Sequence, residues 1–179
     1  IIDGGDCRVG VESTVLDITG SVPNILRPGA VTLADVKSVI EGSVEADWHL
    51  AHGIDTSKVP KSPGLKYKHY APDAPLYIFT ATDCQIMVQG ICEKIIEEKN
   101  KKLSVGVLAT DENRDYYKDA DMVQSVGSGT NSMEHAAALF TCLRRFDEAG
   151  VDVIIAEMLP QTGVGDAVMN RLYRAAAGR

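Results

Sequence analysis

The sequence predicts an α/β protein: a small Rossmann-like three-layer domain with a mainly parallel sheet, preceded by a linker and by the strands and helix of a second α/β unit. Three observations predict it. Beyond Pro75, short apolar runs alternate with helical stretches, the pattern of parallel strands covered on both faces. Before Gly42, only two short extended runs and one helix are legible, too little to bury a core of their own. Between these regions lies Ser62-Pro63-Gly64-Leu65-Lys66-Tyr67-Lys68-His69-Tyr70-Ala71-Pro72-Asp73-Ala74-Pro75, whose prolines forbid a regular helix. The expected divisions are residues 1–42, 43–75 and 76–179.

In the first division, Val15-Leu16-Asp17-Ile18 alternates and is β-branched, so it reads as a strand. Asn24-Ile25-Leu26-Arg27 reads as a second, joined through the turn residues Gly20-Ser21-Val22-Pro23. Arg27-Pro28-Gly29 stops it. Thr32 is an N-cap for a short helix with Leu33, Val36, Val39 and Ile40 on its apolar face. Residues 43–61 read as an irregular connector with room for one short strand. Leu76-Tyr77-Ile78-Phe79 opens the third division as a strand. Thr82 to Lys99 reads as a helix turning Ile86, Val88, Ile91, Ile95 and Ile96 inward. Val105 to Ala109, Asp121 to Val126 and Val153 to Ile155-Ala156 read as strands. Asn131 to Ala149 reads as a long helix closed by Gly150, and Ala167 to Ala177 as the last helix.

The 179 residues are 45% hydrophobic and 24% charged, the balance of a soluble globular chain. A net charge of −7 excludes the broad basic footprint that nucleic acids and anionic membranes require, so neither is an expected partner. No apolar run has the length of a membrane span. Cys7, Cys84, Cys92 and Cys142 form no C-x-x-C pair and stand at no metal-ligand spacing. They read as reduced thiols of a cytoplasmic protein, with Cys92 and Cys142 in the core. The chain opens on Ile1-Ile2-Asp3 without an initiator Met and is expected to be part of something longer.

Several places invite chemistry. The proline-rich stretch brackets Lys66, Tyr67, His69 and Tyr70; aromatics in a segment that cannot be helical suit either a strap over a surface or a stiff spacer covering core edges. Glu12-Ser13-Thr14 leads into the first strand; its hydroxyls suit a small zwitterion or a phosphate, or are a strand-edge pair with no ligand. Arg27, held by Pro28-Gly29, suits bidentate recognition of a carboxylate or phosphate, or a surface ion pair. Val126-Gly127-Ser128-Gly129-Thr130-Asn131 and Thr162-Gly163-Val164-Gly165-Asp166 join strands to helices, where free backbone donors can hold an anion, although such capped turns are also ordinary structure. His49 and His52 lack the partners of a metal site. No nucleophile-base set is present, so no catalytic residue is assigned.

Together, Glu12-Ser13-Thr14-Val15, Ile25-Leu26-Arg27-Pro28-Gly29-Ala30, Ser62-Pro63-Gly64 and Lys66-Tyr67-Lys68-His69-Tyr70-Ala71-Pro72 resemble the two-domain form of threonylcarbamoyl-AMP synthase. The ending Ala167-Val168-Met169-Asn170-Arg171-Leu172 is similar to the Rossmann-like module appended in that family. The resemblance implies a catalytic YrdC-like domain, of which residues 1–42 would be the end, with the rest of that domain absent. It implies a nucleotidyltransferase that joins L-threonine, bicarbonate and ATP into threonylcarbamoyl-adenylate, with release of pyrophosphate, for modification of adenosine 37 in tRNA. Mg²⁺ would accompany ATP as substrate. Ser13 resembles the threonine-contacting serine and Arg27 the ATP-contacting arginine. Ser62, Lys66, Tyr67, His69 and Tyr70 belong to a linker that crosses the cleft and excludes water. The family's basic N-terminal motif and serine-rich segment are absent, so this stretch alone is expected to be inactive. A competing expectation is a non-catalytic nucleotide-binding or protein-interaction module.

Overall fold

The computed structural model describes residues 9–46, 71–81 and 83–176, with residues 2, 5 and 7. The linker residues Ser62, Lys66, Tyr67, His69 and Tyr70 lie outside the described residues, as do His49 and His52.

Two sheets form. The first contains β1 (Val15–Asp17), β2 (Asn24–Arg27) and β3 (Glu45–Ala46), in that order. β1 and β2 are the expected antiparallel pair, and β3 runs parallel to β2 within the stretch read as a connector. α1 (Leu33–Val39) covers this sheet. Its start is over-determined, because Thr32 and Asp35 cap each other reciprocally. Val36 is buried against Ile25 and Val44, but Val39 is 81% exposed and corrects the expected apolar face.

The second sheet is all parallel, with strand order β4-β7-β5-β6: β4 (Leu76–Phe79), β5 (Val105–Ala109), β6 (Met122–Ser125) and β7 (Val153–Glu157). Strict alternation along the two central strands divides the core. Val105, Val107, Ala109, Val153 and Ile155 face α2 (Cys84–Asn100). Leu108, Ile154 and Ala156 face α3 (Ser132–Ala149) and α4 (Val164–Ala176). This is the three-layer Rossmann-like arrangement that the apolar runs imply.

Two glycines let the layers close. A Cβ on Gly106 would stand 2.7 Å from the Phe146 ring, so β5 admits α3 only as glycine. A Cβ on Gly90 would run into Phe79, so α2 seats on β4 by the same device. Burying a ring such as Phe146 contributes about 1.5–3 kcal/mol. Gly150 ends α3 in the left-handed conformation, as its position after the apolar pattern suggests.

The inward face of α2 differs from expectation. Met87, Ile91 and Ile95 are buried at four-residue spacing, whereas Ile86 is 63% exposed and Ile96 is also exposed. Each exposed isoleucine lies one position, about 100° of rotation, from the buried row. Cys142 is buried as expected, but Cys92 is only half-buried. α4 starts at Val164, earlier than Ala167.

The segment leading into β1 does not stay with the first sheet. Val11 is buried in the α3–α4 layer of the second, with Val9 packed against it. Gly10 lies so close to α3 that a Cβ there would strike the Ala136 carbonyl.

Candidate functional site

The β1–β2 hairpin brings Ser13 and Arg27 together. Register pairs Val15 with Arg27, and the ladder shifts between Val15 and Leu16, which bends the strand at its entry. After Pro28 the chain folds back over the same segment. A Cβ on Gly29 would collide with the backbone of Ser13 and Thr14, and the Thr14 hydroxyl donates to the Val31 carbonyl at 2.6 Å. The Arg27 Nε and Nη2 both donate to the Ser13 carbonyl, at 3.0 and 2.9 Å. Nη2 also lies 3.4 Å from the Ser13 hydroxyl. Ser13 is exposed and Arg27 half-buried. A hydroxyl beside a guanidinium at the surface suits an oxyanion or a zwitterion.

Next to Ser13 stands Glu12, whose Oε2 accepts from Arg171 Nε at 2.7 Å. Arg171 comes from α4, and its Nη1 donates to Asn170 Oδ1 at 3.0 Å, which also receives Arg174 Nε at 3.3 Å. Burial pushes the Glu12 carboxyl up, but the Arg171 hydrogen bond and the nearby arginine charges together hold it below the usual value. Burial lowers the Arg171 guanidinium, and Glu12 offsets part of that. The sequence reading missed Arg171 and Glu12 as partners. The available signal was an arginine set beside the apolar row Val168, Met169 and Leu172.

The two glycine turns carry anion-type geometry whose donors are already engaged. Gly129 N donates to Glu112 Oε2 at 2.8 Å, the Ser128 hydroxyl to Glu112 Oε1 at 2.7 Å, and Ser128 N to Glu134 Oε2 at 2.9 Å. The Gly129 amide, then the Ser128 hydroxyl, hold the Glu112 carboxyl below its usual value. His135 Nε2 donates to the Ser128 carbonyl at 2.7 Å from inside the core. The chain's own carboxylates therefore fill the place an anion would take. At the second turn, Gly165 N donates to Thr162 O, and a Cβ on Gly165 would strike the Pro160 carbonyl. That glycine serves close packing at the start of α4.

Two buried carboxylates escaped the sequence reading, Glu98 on α2 and Glu157. Glu157, at the end of β7, is 1% exposed. It accepts from Thr110 N at 3.0 Å, the Thr110 hydroxyl at 2.9 Å and the Tyr117 hydroxyl at 2.7 Å. Burial, then the Glu157 hydrogen bond and charge, push the Tyr117 phenol far above its usual value. Among the described residues no group of three or more His, Cys, Asp or Glu side chains converges as a metal site, and no helix is long and apolar enough to cross a membrane.

A parallel three-layer unit, whose last helix pairs through Arg171 with Glu12 just ahead of the smaller sheet, defines a Rossmann-like module. The chain belongs to the threonylcarbamoyl-AMP synthase C-terminal domain family, whose model matches residues 31–177. It is 45% identical, over its full length, to the threonylcarbamoyl-AMP synthase of Bacillus subtilis, covering 49% of that protein. It is 40% identical to the enzyme of the same name from Pyrococcus abyssi, again covering 100% of this chain and 49% of the relative. A crystal structure of P. abyssi Sua5 complexed with L-threonine superposes with a TM-score of 0.81 at 39% identity, covering 97% of this chain and 48% of that one. The chain thus spans about half the length of the curated relatives it matches.

Proposed function

We propose that the full-length protein is an L-threonylcarbamoyladenylate synthase, and that Ser13 and Arg27 lie in its substrate site. One observation supports this most: the hairpin sets the Ser13 hydroxyl and the Arg27 guanidinium side by side, in a chain alike over its whole length to proteins of that name. In this reading the L-threonine amine is carboxylated by bicarbonate, with loss of water. The carbamate oxygen then attacks the α-phosphorus of ATP, and the bond to the leaving pyrophosphate breaks. Mg²⁺ enters with ATP as part of the substrate. Ser13 takes a polar group of threonine. Arg27 meets the nucleotide phosphates through its guanidinium.

The linker residues Ser62, Lys66, Tyr67, His69 and Tyr70 close over the product in this proposal and keep water from its acyl-phosphate bond. The product supplies tRNA modification in the cytoplasm without a stable grip on tRNA, in keeping with the acidic balance. The carboxylates seated in the 127–129 turn weigh against a separate nucleotide-binding role there.

Pyrophosphate release by the full-length protein, dependent jointly on L-threonine, bicarbonate and ATP, is the deciding assay. Arg27→Ala should lower kcat/KM about tenfold to a hundredfold, the worth of a charge-assisted hydrogen bond. The isolated 179-residue chain should release none. A full-length protein that releases no pyrophosphate under these conditions would refute the reading.

A further inference from the structure

Arg171 and Glu12 are separated by 159 residues, yet they form a partly buried ion pair. Arg171 is only 7% exposed, and its Nη2 is buried without a hydrogen-bond partner among the described residues. Removing water from two charges costs roughly what their attraction returns, so such a pair is poor evidence of net stabilisation. What it supplies is direction. The guanidinium is a planar fork, and here Asn170 holds one prong while Nε is committed to a single Glu12 oxygen.

That restraint reaches the site one residue later. Ser13 follows Glu12, and its carbonyl is the acceptor shared by the Arg27 Nε and Nη2. Gly29 presses on the opposite side of the same segment. Upstream, Val11 is sunk in the α3–α4 layer and Gly10 abuts α3. Residues 10–14 are thus gripped by the four-stranded unit on one side and by the strand pair on the other.

We propose that Arg171 is a positioning residue for the Ser13–Arg27 site: the four-stranded unit sets the stance of Ser13 from its last helix, through Glu12. The proposal rests on the reading that Ser13 receives L-threonine. It gives the appended module an indirect part in substrate binding, exerted through Glu12. Arg174, donating to Asn170, steadies the base of the arm.

Calorimetric titration of the full-length protein with L-threonine tests this, with hydrogen exchange at the Ser13 and Thr14 amides as a readout that needs no ligand. Arg171→Met should weaken L-threonine binding about tenfold to a hundredfold, the cost of a misplaced binding group, and speed exchange at those amides. Because a lone buried Glu12 can destabilise the fold, the double variant Glu12→Met with Arg171→Met is the second arm. It should regain the thermal midpoint without regaining affinity. Wild-type affinity in Arg171→Met, or affinity that returns with the midpoint in the double variant, overturns the proposal. A wild-type protein that binds no L-threonine instead refutes the assignment of Ser13, and the positioning role falls with it.

Discussion

The two sheets treat polar groups differently. In the four-stranded unit, buried or turn-borne carboxylates meet fixed donors from the same unit: Glu157 has Thr110 and Tyr117, and Glu112 has Ser128 and Gly129. Around the strand pair, arginines gather about a single carboxylate. Glu12 feels both Arg27 and Arg171, and the Ser13 hydroxyl faces solvent. A carboxylate whose acceptors are already met by donors of its own unit has little left for a ligand. An exposed edge that gathers arginine side chains suits an anionic ligand. Under the proposed function, the larger unit is the scaffold and the smaller sheet carries the substrate site.

Stability measurements can break that contrast. Phe146→Ala should cost about 3–5 kcal/mol, since the fully buried ring packs directly on Gly106. Ser13→Ala, at the exposed site, should stay within about 0.5 kcal/mol. Urea denaturation of both variants checks this, and similar losses for the two would erase the division between scaffold and site.

A smaller effect sharpens it. Tyr117→Phe removes one of the donors to the buried Glu157 carboxylate while leaving the ring in place. The expected cost is about 1–3 kcal/mol, the penalty for a buried acceptor left short. An unchanged urea midpoint would show that Glu157 does not depend on that hydroxyl.

The smallest expected effect is in the pH dependence. Glu12, Glu112 and Asp152 all have carboxyls held below their ordinary values of 4.5, 4.5 and 3.8. For Asp152 the cause is the Ser104 amide, then its hydroxyl. A lowered folded-state value means that the unfolded chain takes up protons first as pH falls. The stabilisation is therefore fully present above the ordinary carboxylate values and is lost as pH drops through the folded ones. The thermal midpoint should hold from pH 7 to about 5 and fall below 4.5. Glu112→Gln should flatten part of that fall. A midpoint that rises on acidification would contradict the assignment.

Much of the larger unit was legible because its signals are local. Continuous apolar runs at Val105 to Ala109 and Val153 to Ile155 mark strands buried on both faces, and Gly150 marks a helix end. The hairpin was legible for the same reason, whereas Ser13 and Arg27 were singled out separately, and their roles came from the family resemblance. The apolar faces were less so. Ile86, Ile96 and Val39 are hydrophobic by type but lie one position off the buried row, and composition does not reveal which side of a broad apolar stripe meets the sheet.

The amino-acid order alone determined the layer architecture, the parallel strands and the first hairpin, because period, caps and turn chemistry act over a few residues. Only the tertiary structure decided that Arg171 reaches Glu12, that Glu112 and Glu134 seat themselves in the glycine turn, and that Tyr117 holds Glu157. Those pairings join residues far apart in the chain or on separate elements, and their energy depends on burial and on a donor's direction, neither of which spacing along a sequence encodes.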